Sequence, residues 1–336
     1  MITVSVCMIV KNEEKILARC LDSLEGLYDE LIVVDTGSTD RTKEIAGHYT
    51  DRIYDFKWSG DFSAARNFSF SHATCEYIYS PDADEVLNEE NREKFRILKE
   101  NLDTDIEIVQ MKYAGQLTHG TVYNFDEEYR PKLFKRLRTF TWIEPVHETV
   151  RTMPVVYDSD IVIDHRPESN HSGRDIKIFE RMLSEGRDLS KRLCDMYARE
   201  LYLNGSLEEL IFGHDYFEKM ISSKDPDSDE FNVAAAILVR EARLKGDVTS
   251  LLKYASKSIA GEGNSEVCYE LGAFYEDAKD LDEACVWYYN AAYETSPCLS
   301  VKAAKKLPLE GLVRIYKALG ITEQADVYEE ELKKID

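Results

Sequence analysis

Residues 76–85 read Glu-Tyr-Ile-Tyr-Ser-Pro-Asp-Ala-Asp-Glu, and the chemistry they offer lies in Asp82 and Asp84, two carboxylates one residue apart. The aromatic and β-branched run before them predicts a short strand that Pro81 ends, so both acids emerge at its carboxyl end. In an open α/β sheet ligands bind at that edge, and hard oxygen donors placed there suit a divalent cation together with a diphosphate. On these ten residues alone an acidic turn is the better description. Carboxylates this close cannot flank a glycosidic bond, which argues against sugar hydrolysis.

Further groups occur at comparable places. The apolar run Leu31–Val34 changes abruptly to Asp35-Thr36-Gly37-Ser38-Thr39-Asp40. A strand, an acid, a glycine turn and a Ser/Thr cap before a helix would put Asp35 beside a cleft with backbone N–H groups facing it. Asp35 can accept from a ribose hydroxyl or a base N–H, or the segment is simply a capped turn; neither a dinucleotide glycine fingerprint nor a phosphate loop is present. Arg66, near the start of a helix over 63–73, has a fork that suits a phosphate oxygen, though a surface arginine on a helix is the simpler description. Arg130, Lys132, Lys135, Arg136 and Arg138 form a basic cluster that would hold an anion or line a solvated strand face. Trp142-Ile-Glu-Pro-Val-His147-Glu148 gathers an indole, an imidazole and two acids. Strand alternation would turn His147 and Glu148 to opposite faces unless Pro145 brings in a turn. His165, at a strand end before Pro167, offers a neutral nitrogen to a metal.

These segments together resemble a bacterial inverting glycosyltransferase of family 2. The resemblance is carried by Val4-Ser-Val-Cys-Met-Ile-Val-Lys-Asn-Glu13, Val33-Val-Asp-Thr-Gly-Ser-Thr-Asp40, Ala65-Arg-Asn67, Asp82-Ala-Asp-Glu85, Arg130-Pro-Lys-Leu-Phe134 and Val146-His-Glu148, in that order. It implies a GT-A fold, the Rossmann-like nucleotide-sugar architecture, over residues 1 to 167, and a donor that is a nucleotide diphosphate sugar, UDP-linked. By that resemblance Asp35 contacts the uridine or ribose, Glu13 lies near the ribose, and Val10, Arg66 and Asp82 belong to the donor site. Asp82 and Asp84 would bind Mn2+ or Mg2+, Asp84 more directly and His165 as a third ligand. Glu148 fits the general base, with His147 a substitute or a diphosphate partner.

The elements needed to position these groups follow in order. Ile2–Val10 reads as a central buried strand; Asn12 is placed to cap a helix whose face is Ile16, Leu17, Cys20, Leu21 and Leu24, stopped by Gly26. A helix over Glu89–Leu102 and strands over Ile106–Tyr113 and Val155–Ile163 complete the half. From about Asp175 strand signals cease. Helices are expected over Ile176–Leu203, Leu207–Ile221, Phe231–Gly246, Thr249–Ala260, Glu266–Asp277, Leu281–Thr295, Leu309–Leu319 and Thr322–Ile335, with an acidic linker at Lys224–Glu230. Turns near Gly205, Gly246, Asp280 and Gly320 fall 41, 34 and 40 residues apart, and the middle interval resembles a tetratricopeptide repeat. Leu271, Gly272 and Tyr275 with Ala284, Tyr288 and Ala291 make its clearest copy, read as packing. The expected division is 1–167 for the α/β domain, 168–189 for a linking helix, and 190–336 for an all-α TPR-like repeat domain.

The chain has 336 residues, 43% hydrophobic and 32% charged, enough for two folded domains. Its formal charge of −22 makes nucleic acid an unfavourable partner. Seven scattered cysteines without zinc spacing argue for reduced thiols. No apolar run of membrane-spanning length and no signal-peptide pattern occur, so a cytoplasmic location is expected. The expected acceptor is a glycan, a lipid-linked precursor or a peptide, and the repeats would receive it or a second copy of the chain as a homodimer. Two rival functions remain: a nucleotidyltransferase acting on a sugar phosphate, and a non-catalytic repeat scaffold.

Overall fold

A computed structural model describes residues 1–114, 128–138, 140–147, 149–150, 154–166, 172–226 and 228–335. The chain divides into two compact units, Met1–His171 and Ser172–Asp336.

The first unit runs β1 (Val4–Val10), α1 (Leu17–Leu24), β2 (Glu30–Asp35), α2 (Thr42–Ala46), β3 (Ile53–Asp55), α3 (Phe62–Ser71), β4 (Tyr77–Tyr79), β5 (Glu85–Val86), α4 (Glu89–Asn101), β6 (Ile108–Ala114), β7 (Glu128–Lys135), β8 (Trp142–Ile143), β9 (Thr149–Val150) and β10 (Val156–His165). Eight strands form one mixed sheet in the order β3-β2-β1-β4-β7-β6-β10-β5; β8 and β9 pair separately. The strands β3, β2, β1 and β4 are parallel, β7 is antiparallel to both its neighbours, and β5 is antiparallel to β10.

Alternation explains why β1 is apolar apart from Ser5, whose hydroxyl is matched by Glu30 and the Cys75 N–H. Val4, Val6, Met8 and Val10 pack with Leu17 and Leu21 of α1 and Phe95 of α4, whereas Cys7 and Ile9 face Phe68 and Phe70 of α3. A strand covered on both faces has no polar side. The expected α/β half is therefore what the chain forms.

One local expectation fails. Asn12 does not cap α1, which begins at Leu17 without a side-chain cap. Asn12 instead takes φ +56°, and its side-chain oxygen accepts the Thr39 N–H at 2.8 Å while its own N–H reaches Ser38 Oγ at 2.9 Å. Asn tolerates the left-handed region, and the turn after β2 is a closer partner than the helix.

The second unit is helical: α5 (Ser172–Ser184), α6 (Lys191–Asn204), α7 (Leu207–Ser223), α8 (Asp229–Lys245), α9 (Val248–Ile259), α10 (Ser265–Asp277), α11 (Leu281–Tyr289) with a π turn at Asn290–Glu294, α12 (Val301–Ala304), α13 (Lys306–Ala318) and α14 (Thr322–Leu332). Side chains of Ser190, Ser206, Ser228, Asp247, Asn264 and Asp280 cap α6 to α11 in turn. The helical pattern over Ile176–Leu203 forms two helices, α5 and α6, with a break where Gly186 takes φ +70°. Likewise the acidic segment from Lys224 is a short connection, not a spacer, since α7 packs on α8. The TPR-like packing is clearest at Tyr288: a Cβ on Gly272 or Gly311 would meet its ring at 2.6 and 2.5 Å, so both glycines admit the tyrosine between α10, α11 and α13. All seven cysteines are free thiols, four of them buried.

Candidate active site

Parallel pairing sets Val10 opposite Asp35 and Asp35 opposite Asp55 at the carboxyl ends of β1, β2 and β3. Beyond that line the chain turns from apolar to polar. The Val10 carbonyl accepts the N–H and hydroxyl of Thr36 at 3.0 and 3.1 Å, and the Glu13 N–H donates to Thr42 Oγ1 at 2.7 Å. These bonds lace the turn after β1 to the turn after β2. Asp35 is only 2% exposed. Its Oδ1 accepts N–H groups of Gly37 and Ser38, both at 2.9 Å, while its buried Oδ2 has no partner. Gly37 takes φ +106°, which brings the amides round to the carboxylate. An unmatched buried oxygen is costly on the order of 1–3 kcal/mol, so Oδ2 is an acceptor that a ligand's N–H or O–H would satisfy.

A second cluster forms where β4 ends. Tyr77, Ile78 and Tyr79 are buried, and the chain then leaves the middle of the sheet through Asp82-Ala83-Asp84 to reach β5 at its far edge. Glu85 and His165 are register partners there, and the Arg166 N–H donates to the Asp84 carbonyl at 2.9 Å. The two acids consequently meet different neighbours. Asp82 is held by cations: Arg66 donates to its Oδ1 at 2.8 Å and to Ser80 Oγ at 2.9 Å, and Lys132 reaches its Oδ2 at 3.4 Å. Burial would raise the Asp82 pKa, but Lys132 and Arg66 outweigh it and hold the carboxyl well below the usual carboxylate range. Asp84 instead meets an imidazole, with Oδ2 3.0 Å from His165 Nε2.

Lys132 also pairs with Glu85, and both are nearly inaccessible to solvent. Burial pushes the Glu85 carboxyl up to about 7; Lys132 opposes that shift while the charges of Asp82 and Asp84 add to it. One aromatic ring ties the cluster together. Tyr113 lies 5.0 Å from the His165 ring, 5.4 Å from Lys132 Nζ and 3.9 Å from the Arg130 guanidinium.

Lys132 is the residue that sequence reasoning missed, having been grouped with four other cations as one surface. The structure disperses that cluster: Lys135 bonds to the Thr104 carbonyl, Arg136 to the Cys75 carbonyl and Arg138 to Glu107. A signal was available. Leu133 and Phe134 follow Lys132 in a central strand, and a lysine buried there needs carboxylate partners.

The segment from Trp142 to His147 lies beside α3. Glu144 at φ +71° and His147 at φ +47° make a turn between β8 and β9, so plain strand alternation does not govern it. His147 is half-buried, and Glu148 lies outside the described residues.

The donor set at Asp84 and His165 fits a divalent ion. A carboxylate oxygen and an imidazole nitrogen 3.0 Å apart match two adjacent ligands of one ion, which stand about 3 Å apart when each is about 2.1 Å from it. Asp82, with both oxygens already facing cations, fits less well as a direct ligand.

The model of glycosyl transferase family 2 matches residues 5–176. A TPR repeat-containing protein of Synechococcus elongatus is 36% identical over 155 residues, 45% of this chain and 36% of that protein. The SPbeta prophage-derived glycosyltransferase SunS of Bacillus subtilis is 30% identical over 251 residues, 70% of this chain and 57% of the relative. The chain thus spans roughly a third to three fifths of the length of these two. The lipopolysaccharide core biosynthesis glycosyltransferase LpsC of Rhizobium meliloti is 31% identical over 225 residues, 60% of this chain and 82% of LpsC. Among solved structures, glucosyl-3-phosphoglycerate synthase from Mycobacterium tuberculosis, in complex with Mn2+ and UDP-glucose, is 17% identical with a TM-score of 0.39, covering 56% of this chain and 81% of that one.

Proposed function

Because the chain belongs to glycosyl transferase family 2, we propose that it moves a sugar from a UDP-linked donor to an acceptor hydroxyl, thiol or amine with inversion at the anomeric carbon. The observation that carries this reading is the meeting of Asp84 with His165, 81 residues apart in sequence, at a sheet edge where Asp82 is already neutralised by Arg66 and Lys132. Asp84 and His165 would hold Mn2+ or Mg2+. When bound there, such an ion offsets the negative charge that builds on the departing diphosphate.

The protein's own groups do the rest. Asp35 Oδ2 accepts a hydrogen bond from the uracil or ribose, with Val10 and Glu13 framing that end of the donor. Arg66, buried and fixed by Ser80 and Asp82, presents positive charge beside the same edge. A base on the segment after β8 takes the acceptor's proton as its heteroatom bonds to the anomeric carbon; the bond from that carbon to the diphosphate oxygen breaks on the opposite face. Glu148 is assigned that role, with His147 as its substitute. Donor binding is assigned to residues 1–167 and acceptor or self-association to the repeats of 190–336. The name of LpsC favours a glycan or lipid-linked acceptor.

The test is Asp84→Ala. Mn2+-dependent UDP release from UDP-glucose should fall at least a hundredfold to a thousandfold with the melting temperature little changed. Unchanged turnover removes the metal role. Glu148→Gln should lower turnover much more than UDP affinity; the reverse pattern contradicts a base.

A further inference from the structure

Helix α3 carries two neighbouring residues that face different parts of the site. Arg66 turns to Asp82 and Ser80. Its guanidinium also lies over the Trp142 ring, 5.0 Å from the centroid, while the Asn67 amide makes two hydrogen bonds to the Trp142 backbone: Oδ1 accepts the Trp142 N–H at 2.8 Å and Nδ2 donates to the Trp142 carbonyl at 3.0 Å. That is the donor-and-acceptor pair a neighbouring strand would supply, so the side chain acts as a one-residue strand for β8. A third bond reinforces it. The Phe62 N–H, at the first turn of α3, donates to the Pro145 carbonyl at 2.9 Å.

What these bonds hold is a turn that would not keep its shape alone. Glu144 and His147 both have positive φ without being glycine, and such residues persist only where surroundings over-determine them. The Trp142 side chain is anchored separately, among Ile108, Phe134, Phe140 and Phe70. That apolar cluster fixes the indole but not the direction in which the backbone leaves it. Asn67 supplies the direction.

We infer that Asn67 is a positioning residue: its amide fixes the Glu144–His147 turn at a set distance from the Asp82–Asp84 edge, with α3 as the ruler between base and donor. This rests on the proposed transferase reading. In that reaction the base and the diphosphate-binding groups must lie on opposite sides of one carbon, and a misplacement of 1 Å costs about a hundredfold in rate. A helix that brings Arg66 to Asp82 and Asn67 to the Trp142 backbone sets both from one rigid element.

The test is N67A in the full chain. Ala is the best helix former, so α3 keeps its helix, and the cluster around Trp142 keeps β8 in place. Hydrogen exchange at the Ile143, Val146 and His147 amides should quicken at least tenfold, while amides of α1 and β1 stay as in the parent. UDP release from UDP-glucose with Mn2+ should fall ten- to a hundredfold. The affinity for UDP with Mn2+, read by calorimetry, should stay within twofold, and the base limb of the pH profile should move. N67D keeps the acceptor for the Trp142 N–H but loses the donor, and should show the same split if N67A does not fold. Exchange unchanged in the turn, or UDP affinity falling in step with turnover, overturns the inference. The parent keeps the two questions apart: no UDP release from it removes the transferase reading, whereas unchanged turn dynamics in N67A removes only the role of Asn67.

Discussion

Both units bury carboxylates, and these differ in how completely they are matched. In the helical unit Glu266 accepts N–H groups from Leu299 and Ser300 on one oxygen and from Cys298 on the other, and Glu270 faces Arg240 and Arg243. Every oxygen of those two residues is matched. In the α/β unit Asp35 Oδ2 and Glu85 Oε2 are buried and unmatched, and Asp84 meets an imidazole rather than a cation. Buried charge by itself is therefore no sign of a reaction. The useful sign is a buried acceptor left open at the edge of a sheet, because folding alone would select against it.

The sharpest way to break this contrast is Glu270→Ala. If Glu270 is purely structural, stranding Arg240 and Arg243 should cost about 3–5 kcal/mol in denaturant unfolding while UDP affinity of the folded fraction stays the same. Asp35→Asn probes the opposite case. Stability should stay within about 1 kcal/mol, because Asn keeps the acceptor for the Gly37 and Ser38 amides and exchanges one unmatched polar atom for another, yet UDP affinity by calorimetry should fall about ten- to a hundredfold. Gly272→Ala tests the packing of the repeats: a methyl group 2.6 Å from the Tyr288 ring should cost about 1–3 kcal/mol by thermal unfolding and leave donor binding unaltered.

The smallest effect sharpens the comparison. Glu200 is a buried acid of the helical unit with one long hydrogen bond, from Asn204 at 3.3 Å, and burial lifts its pKa from 4.5 to about 7, with Asp175 adding to the rise. A raised acid pKa means the folded state binds the proton more tightly. The favourable contribution is therefore full below about 4.5 and is lost as pH rises through about 7. Glu200→Gln should gain stability over the parent at pH 8 by on the order of 1 kcal/mol more than at pH 5, read as the difference in melting temperature at the two values.

The sequence was most legible where one residue type has one use. Strand, acid and glycine in series located Asp35 and its turn, although the expected Ser/Thr cap does not form and α2 begins after Arg41 without one, and Asp82-Ala-Asp84 located the sheet edge. It was least legible where meaning depends on a distant partner. Asn12 could cap a helix or clip a turn, and only the approach of Thr39 decides. Lys132 looked like its basic neighbours because strand composition does not reveal which side chain turns inward to two carboxylates. His165 was weak as a lone imidazole and becomes informative only once β5 and β10 place it on Asp84. Asn67 had no signal of its own; its importance comes from a backbone 75 residues away.

The excursion of the chain from β4 to the far edge at β5 has a bearing on biosynthesis. The nascent polypeptide can assemble β1, β2, β3 and β4 early, since they are sequential and adjacent in the sheet. Yet Asp84 finds its partners only after residues 165 and 166 have left the ribosome, because β5 has no neighbour except β10. The half-made chain thus carries the Asp35 turn before the Asp84–His165 pair, and under the proposed reading it should hold UDP weakly and remain inert until the last strand of the sheet is laid down.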